Sequence, residues 1–292
     1  MFAIAIVYVS AIFEGDVSLL NLISDAHQVN IQKIKTWTGT ANITDTLVKD
    51  GMPISEGQNK AEFVYDADRN ATRWTVMNAD GTEKRSAMRK DLRLFRCFPG
   101  VQRVGSETRE NMLVIWPATE QEVRAFADDF DPMWYFTRAG QDIIDKINFQ
   151  RAHFDNPKAA SGYVKRDGDL IIWELQGKES TNHYEFDLKQ AGNLIKCLDK
   201  DDQITVKMEW AYANIDGLWI PQTFDYINTR ADDSGRTVIT RKVKFKNNVV
   251  NSAVAEAEFA LDKIGFLPGM MVTDRASDFD IINGILEPLI KK

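Results

Sequence analysis

The residues in this chain with the best claim to a function are large apolar side chains that alternate with polar ones. Phe63, Tyr65, Trp74, Val76, Trp173, Met208 and Trp210 all stand in such strings. Brought to one face of a sheet, they can do one of two things. They can fill a core, or they can line a hollow too wide for its own side chains, which stays dry and admits an apolar guest. Each methylene of a guest buried there contributes about 0.8 kcal/mol. Two cations lie close by in sequence, Arg69 and Arg73. They are expected to bond the backbone carbonyls of a covering segment or to meet a polar headgroup, and a solvated strand face is the plain alternative.

Other chemistries have less behind them. The three histidines, His27, His153 and His183, lie in no HExxH pattern, and no GxSxG elbow, P-loop or GxGxxG stretch occurs. The carboxylate groups Asp128-Asp129-Asp131 and Asp199-Asp201-Asp202 lack the glycine and distant glutamate of an EF-hand loop. No CxxC pair or Cys/His cluster suggests zinc. The residues therefore read as a protein that is not an enzyme, with no catalytic group, metal site or cofactor. Cys97 and Cys197 both fall in strand patterns, where a disulfide and two lone thiols are equally open.

Composition narrows the partners. The chain has 292 residues and a net charge of -7, and its basic residues are scattered among acids. No stripe is present that could neutralise a phosphate backbone, which excludes nucleic acid as a partner. The opening run MFAIAIVYVSA ends in Val9-Ser10-Ala11, a small-residue pattern open to signal peptidase, although no Lys or Arg precedes it. It is shorter than the roughly 20 apolar residues that span a bilayer. Residues 1–11 are thus expected to be a signal peptide, and 12–292 a single soluble domain, because no linker interrupts them.

The elements that must position the aromatic strings read as follows. Residues 18–34 form an amphipathic helix with Leu19, Leu22, Ile23, Ala26 and Val29 on one face. The period then changes to two. Ala61, Phe63 and Tyr65 face one way, and Glu62 and Asp66 the other; Thr72, Trp74 and Val76 alternate with Arg73, Thr75 and Met77. Asp80-Gly81 is a hairpin signal leading to a strand over 83–96, and the polar stretch 49–60 reads as a long hairpin loop. Asp167-Gly168, Ala191-Gly192-Asn193, Asp216-Gly217 and Ser234-Gly235 punctuate further strands, among them 204–212 with Ile204, Val206, Met208, Trp210 and Tyr212 on one face. This is the pattern of an antiparallel meander with one dry and one wet face. In the middle, Thr119-Glu120-Gln121-Glu122 is a capping box ahead of an apolar stripe ending at Phe130, and a second helix is expected over 140–152. The tail 277–290 has helical spacing, with a final edge strand as the alternative. The class is α+β, mostly β.

The order of these elements resembles the LolA/LolB-like superfamily of bacterial lipoprotein carriers. The resemblance rests on helix 18–34 running into Lys35-Thr36-Trp37-Thr38-Gly39-Thr40-Ala41, and on strand Ala61-Glu62-Phe63-Val64-Tyr65 followed by Asp68-Arg69 and Arg73-Trp74. It rests also on Phe259-Ala260-Leu261 leading to Leu267-Pro268-Gly269-Met270-Met271-Val272-Thr273-Asp274. It implies a curved antiparallel sheet, an unclosed half-barrel, whose apolar concave face is covered by the N-terminal and mid-chain helices. Phe259–Leu261 would be its closing aliphatic strand, and Arg69, with Arg73 competing, its lid-closing arginine. It also implies a periplasmic or otherwise extracytoplasmic monomer that binds and transfers lipid or lipoprotein acyl chains, with a membrane-bound donor or acceptor protein as partner. An envelope sensor or interaction protein on the same fold, without transfer, is the alternative.

Overall fold

The computed structural model describes residues 13–15, 18–81, 84–90, 93–104, 107–117, 130–137, 161–177, 179–232, 235–267, 270–274 and 279–282. Strands form where the period-two pattern runs. The elements are β1 (Phe13–Gly15), α1 (Ser18–Lys33), β2 (Thr36–Lys49), β3 (Met52–Asp66), β4 (Ala71–Asn78), β5 (Lys84–Lys90), β6 (Arg93–Val104) and β7 (Glu107–Pro117). After α2 (Pro132–Thr137) come β8 (Ser161–Asp167), β9 (Leu170–Gln176), β10 (Ser180–Asp187), β11 (Asn193–Asp201), β12 (Ile204–Ile215), β13 (Leu218–Asp232) and β14 (Gly235–Val250). β15 (Met271–Asp274) and β16 (Phe279–Ile282) end the series.

The strands hydrogen-bond in one unclosed sheet, in the order β1-β8-β9-β10-β11-β12-β13-β14-β2-β3-β4-β5-β6-β7-β15-β16. The thirteen strands from β8 to β7 in that order form the antiparallel sheet. At its two ends β1 joins β8, and β15 joins β7, in parallel. Tight turns explain much of the meander. Asp50-Gly51 and Asp216-Gly217 both take positive φ at both residues, 51° and 79° in the first and 52° and 83° in the second, the geometry of a two-residue hairpin.

Several local expectations change. The polar stretch 49–60 is not a loop: Asp50-Gly51 turns the chain at once, and the rest is the first part of β3. Its polarity reflects exposure on both faces and not loss of pairing. The strand expected over 83–96 is divided into β5 and β6, which pair antiparallel. Phe259–Leu261 does not form a strand; it lies in two short 3₁₀ turns, Glu256–Phe259 and Leu261–Ile264. In the tail, the edge strand forms at Phe279–Ile282, where the helical spacing had suggested a helix. The mid-chain helices, apart from Phe130, and the segment 1–11 lie outside the described residues.

The described residues group into two compact units. The first falls within Met1–Lys33, Thr44–Glu56 and Tyr135–Val243, and the second within Ile34–Ile43, Gly57–Trp134 and Lys244–Lys292.

In the first unit, alternation places Val164, Trp173, Tyr184, Cys197, Met208 and Tyr226 opposite one another on successive strands from β8 to β13. Helix α1 packs on this unit, against β8, β11 and β13. It does so through Leu20, Ile23, His27 and Asn30, a set that shares only Ile23 with the face that hydrophobicity alone selects. Leu22 and Val29 remain 42% and 50% exposed. The helix is rotated because two polar residues have specific partners beneath it. His27 Nδ1 lies 2.7 Å from Asn193 Oδ1. Asn30 donates to the Trp219 carbonyl at 3.0 Å and accepts from the Trp219 amide at 3.1 Å. A buried polar group so bonded avoids the cost of its lost water, which a mere apolar pattern cannot register. Gly192 lets the helix come close: a Cβ there would lie 3.0 Å from the Ile23 carbonyl oxygen, at a φ of 66°.

Burial of His27 holds its imidazole below the ordinary value of 6.5, and the bond to Asn193 opposes this only in part. Folding therefore favours the neutral ring. The unfolded chain takes up the proton near pH 6.5 and the folded chain only at lower pH, so this contribution is complete above 6.5 and is lost as pH falls through that value. We expect the urea midpoint to drop between about pH 7.5 and about pH 5.5, and the drop to shrink in His27→Gln. An equal drop in both proteins would remove His27 from this account.

Candidate functional site

The seven apolar residues singled out in the sequence fall into two groups. Phe63, Tyr65, Trp74 and Val76 belong to the second unit, and Trp173, Met208 and Trp210 to the first. All are buried except Tyr65, which is half-buried.

In the second unit, Phe63 stands opposite Trp74, Tyr65 opposite Thr72 and Ala61 opposite Val76. These side chains share one face of β3 and β4, as alternation requires. Rings from other strands complete it. Trp37 and Phe245 lie 4.8 Å and 6.0 Å from Phe63, centroid to centroid. Phe130, from the mid-chain segment, sits 5.8 Å from both Phe63 and Phe245. The sheet face therefore holds an apolar ring delivered to it by a segment outside the sheet.

The same segment is anchored chemically. Asp131 Oδ1 accepts from the Met133 amide at 2.9 Å, which caps α2 with Pro132 at its first helical position. Asp131 Oδ2 lies 3.3 Å from Arg89. Of the first acidic cluster, Asp131 thus supplies a helix cap and an ion pair, while Asp128 and Asp129 lie outside the described residues. In the second cluster, Asp199 accepts from Asn182 at 2.6 Å and from the Tyr184 hydroxyl at 3.0 Å, and Asp201 closes a turn by accepting from the Gln203 and Ile204 amides. Among the described residues no group of His, Cys, Asp and Glu is arranged to hold a metal ion.

The first unit has an equivalent arrangement around Tyr135. Its ring lies 5.1 Å from Phe224, whose ring is 5.1 Å from Trp210. Trp210 Nε1 donates to the Tyr135 carbonyl at 3.1 Å. Arg241 grips Asp45 through two bonds, 2.7 Å and 3.0 Å, and also bonds Tyr135. Burial alone works against the Arg241 charge, but these partners hold the guanidinium firmly protonated. On β9, β10 and β11 the face opposite Trp173, Tyr184 and Cys197 is polar. His183 bonds Glu174 at 2.9 Å and Glu185 at 2.8 Å, and Lys196 bonds Glu185 at 2.6 Å. Burial pushes both carboxyls up, but these bonds, with one from Tyr163 to Glu174, outweigh it and hold them below the ordinary range. His183 is thus a cross-strand tie.

The two arginines stand apart from the aromatic face. Arg69 turns back onto Asp66. Arg73 lies opposite Val64 on the other face of β3 and β4. It donates to the Glu258 carbonyl oxygen at 2.9 Å and to the Glu258 carboxylate at 2.6 Å. A backbone carbonyl is the partner that the sequence suggested, but it belongs to the C-terminal segment. That segment covers the second face: Phe259, Ile264 and Phe266 pack with Val64, Ala71, Met88, Phe95, Cys97, Leu113 and Ile115. Where this segment packs, both faces of the sheet are apolar. Cys97 is buried there, its thiol pushed up to about 12 by burial, and neither cysteine forms a disulfide.

Sequence reasoning missed Trp37, Phe224, Phe245, Arg89 and Arg241 as parts of these faces. Phe224 and Phe245 stand in alternating strings and were within its reach. Arg89 was legible only through hairpin register, which sets it opposite Thr72 and so on the Trp74 face.

Compared with family models and with curated proteins, the sequence matches none. Among solved structures, it is similar to a DUF1329 family protein from Desulfovibrio piger, 12% identical over 86% of this chain and 100% of that chain, with a TM-score of 0.44. It is similar to a putative outer membrane lipoprotein-sorting protein domain from Vibrio parahaemolyticus, 10% identical over 86% of this chain and 100% of that chain, TM-score 0.41. It is similar also to a LolA superfamily protein from Nitrosomonas europaea, 11% identical over 83% of this chain and 97% of that chain, TM-score 0.41. No helix among the described residues is long and apolar enough to cross a membrane.

Proposed function

We propose that the protein is an extracytoplasmic binding module that takes up lipid or lipoprotein acyl chains on the aromatic face of its sheet and passes them to a membrane partner. One observation carries the reading. The faces named for a guest already hold apolar groups brought from outside the sheet, Phe130 on Phe63 and Phe245, and Tyr135 on Phe224. An acyl chain offers the same kind of contact. At about 0.8 kcal/mol per buried methylene, eight methylenes would contribute roughly 6 kcal/mol before the cost of displacing whatever covers the face.

The test is mass spectrometry of lipids extracted from protein purified from its native compartment, with titration of a fluorescent fatty-acid probe. Co-purifying acyl lipid and saturable probe binding are expected; a lipid-free protein that ignores the probe would refute the reading. Transfer is read separately, as movement of labelled lipid between donor and acceptor vesicles. A second reading, an interaction protein without transfer, is favoured by the exposed pair Leu22 and Val29 on α1, seven residues apart on one flank. A stable protein partner recovered with no lipid would support it.

A further inference from the structure

We infer that the preferred guest of the second unit is an acyl chain ending in an anionic head, with Arg89 as the group that selects the head; this rests on the acyl-binding reading above.

The argument begins with where the cations stand. On the aromatic face, the row Tyr65, Thr72, Arg89 and Leu94 runs across β3, β4, β5 and β6. It lies two residues along each strand from Phe63 and Trp74, so a guest lying on those rings reaches it without leaving the face. Arg69 and Arg73, the arginines that the sequence favoured for a headgroup, are bound to Asp66 and Glu258. Among the described residues Arg89 holds only long contacts, 3.3 Å to the Thr72 hydroxyl and 3.3 Å to Asp131 Oδ2. A guanidinium has five N–H donors and takes carboxylate or phosphate in a two-pronged grip at shorter distance.

The second observation concerns Asp131. Its side chain is 6% exposed, and Oδ2 has no hydrogen-bond partner among the described residues apart from that 3.3 Å ion pair. A carboxylate is thus buried beside Arg89 with one oxygen poorly satisfied, which is costly unless that charge serves a purpose. Its chain neighbour Phe130 occupies the ring cluster. Phe130 and Asp131 together present an apolar group on the aromatic face and an anion on Arg89. That is the outline of an anionic amphiphile, and these two residues hold its place in this structure. Tyr65, whose hydroxyl feels both Arg89 and Asp131, borders the same spot.

The experiment compares three probes of equal chain length on the full chain: dodecanoate, dodecyl phosphate and dodecanol, each titrated by calorimetry at low salt. The wild-type protein is expected to bind the better anion about tenfold more tightly than the alcohol, the value of one charge-assisted hydrogen bond. The dodecanoate and dodecyl phosphate arms separate a fatty-acid source from a phospholipid-like one. In Arg89→Met that ratio should fall to about one, and in Arg89→Lys it should be partly restored. Asp131→Asn, which keeps a capping side chain, should raise the ratio several-fold by removing the internal competitor. Equal affinity of wild type for all three probes overturns this inference and leaves the acyl reading standing. A ratio unchanged in a folded Arg89→Met and in Asp131→Asn also overturns it. No binding of any probe by wild type overturns both.

Discussion

Replacing Trp173 by alanine is expected to lower the unfolding free energy by about 3–5 kcal/mol, and replacing it by phenylalanine by far less. Trp173 is 0% exposed and stands opposite Val164 on one side and Tyr184 on the other, with its ring 5.3 Å from that of Tyr184. Alanine would leave a void in a layer fixed by strands on both sides, which cannot close over it. Its Nε1 has no hydrogen-bond partner among the described residues, so phenylalanine removes a buried donor that contributes nothing. Domains of ordinary stability have only about 5–15 kcal/mol in total, so the alanine variant would be near its limit at room temperature. Urea denaturation, with the slope checked for constancy, measures this. A loss below about 1 kcal/mol would mean that the ring borders an open hollow and not a packed layer. Trp173 was one of the residues for which core and cavity wall could not be told apart in the sequence, and this pair of variants decides between them.

That ambiguity marks where the sequence runs out. Alternation and turn chemistry are local. They placed the strands at 61–66, 72–78 and 204–212, and the turns at Asp167-Gly168 and Asp216-Gly217, because each depends on residues a few positions apart. The face of α1 is not local. Leu22 and Val29 look like buried positions until Asn193 and the Trp219 backbone, more than 160 residues away, claim His27 and Asn30. The same holds for Arg73. A cation before an aromatic strand carries no sign of its partner, and Glu258 lies 185 residues further on. The tail shows the same limit: its spacing left helix and edge strand open, and at Phe279–Ile282 the edge strand forms because β16 finds a partner in β15.

The covered second face yields the other large effect. Phe259→Ala is expected to cost about 3–5 kcal/mol and Arg73→Met about 1.5–3 kcal/mol. Phe259 is buried in the cluster behind β3–β7, and Arg73 ties the chain next to it by two bonds in different directions. Lysine at 73 should recover only part of the loss, since one ammonium cannot reproduce the guanidinium's paired geometry. The segment they hold has little structure of its own. Its bonds are single turns, such as the Glu258 amide to Ala255 and the Phe266 amide to Leu261. Once released it has no ladder to retain it, and Val64, Met88 and Phe95 would meet water. Both substitutions release the same segment, so the double variant should lose less than the sum of the two. Amide exchange between residues 256 and 266 should quicken in each variant well before β12 and β13 respond. Simple additivity, with protection of 256–266 unchanged, would mean that the segment does not act as one strap. The strap also bears on the aromatic face. Arg73 and Trp74 are neighbours on β4 that point to opposite sides, so tying down the one limits how far the other can move. Loosening the strap should therefore weaken binding of an acyl probe on the Phe63–Trp74 face, although the strap packs on the opposite one.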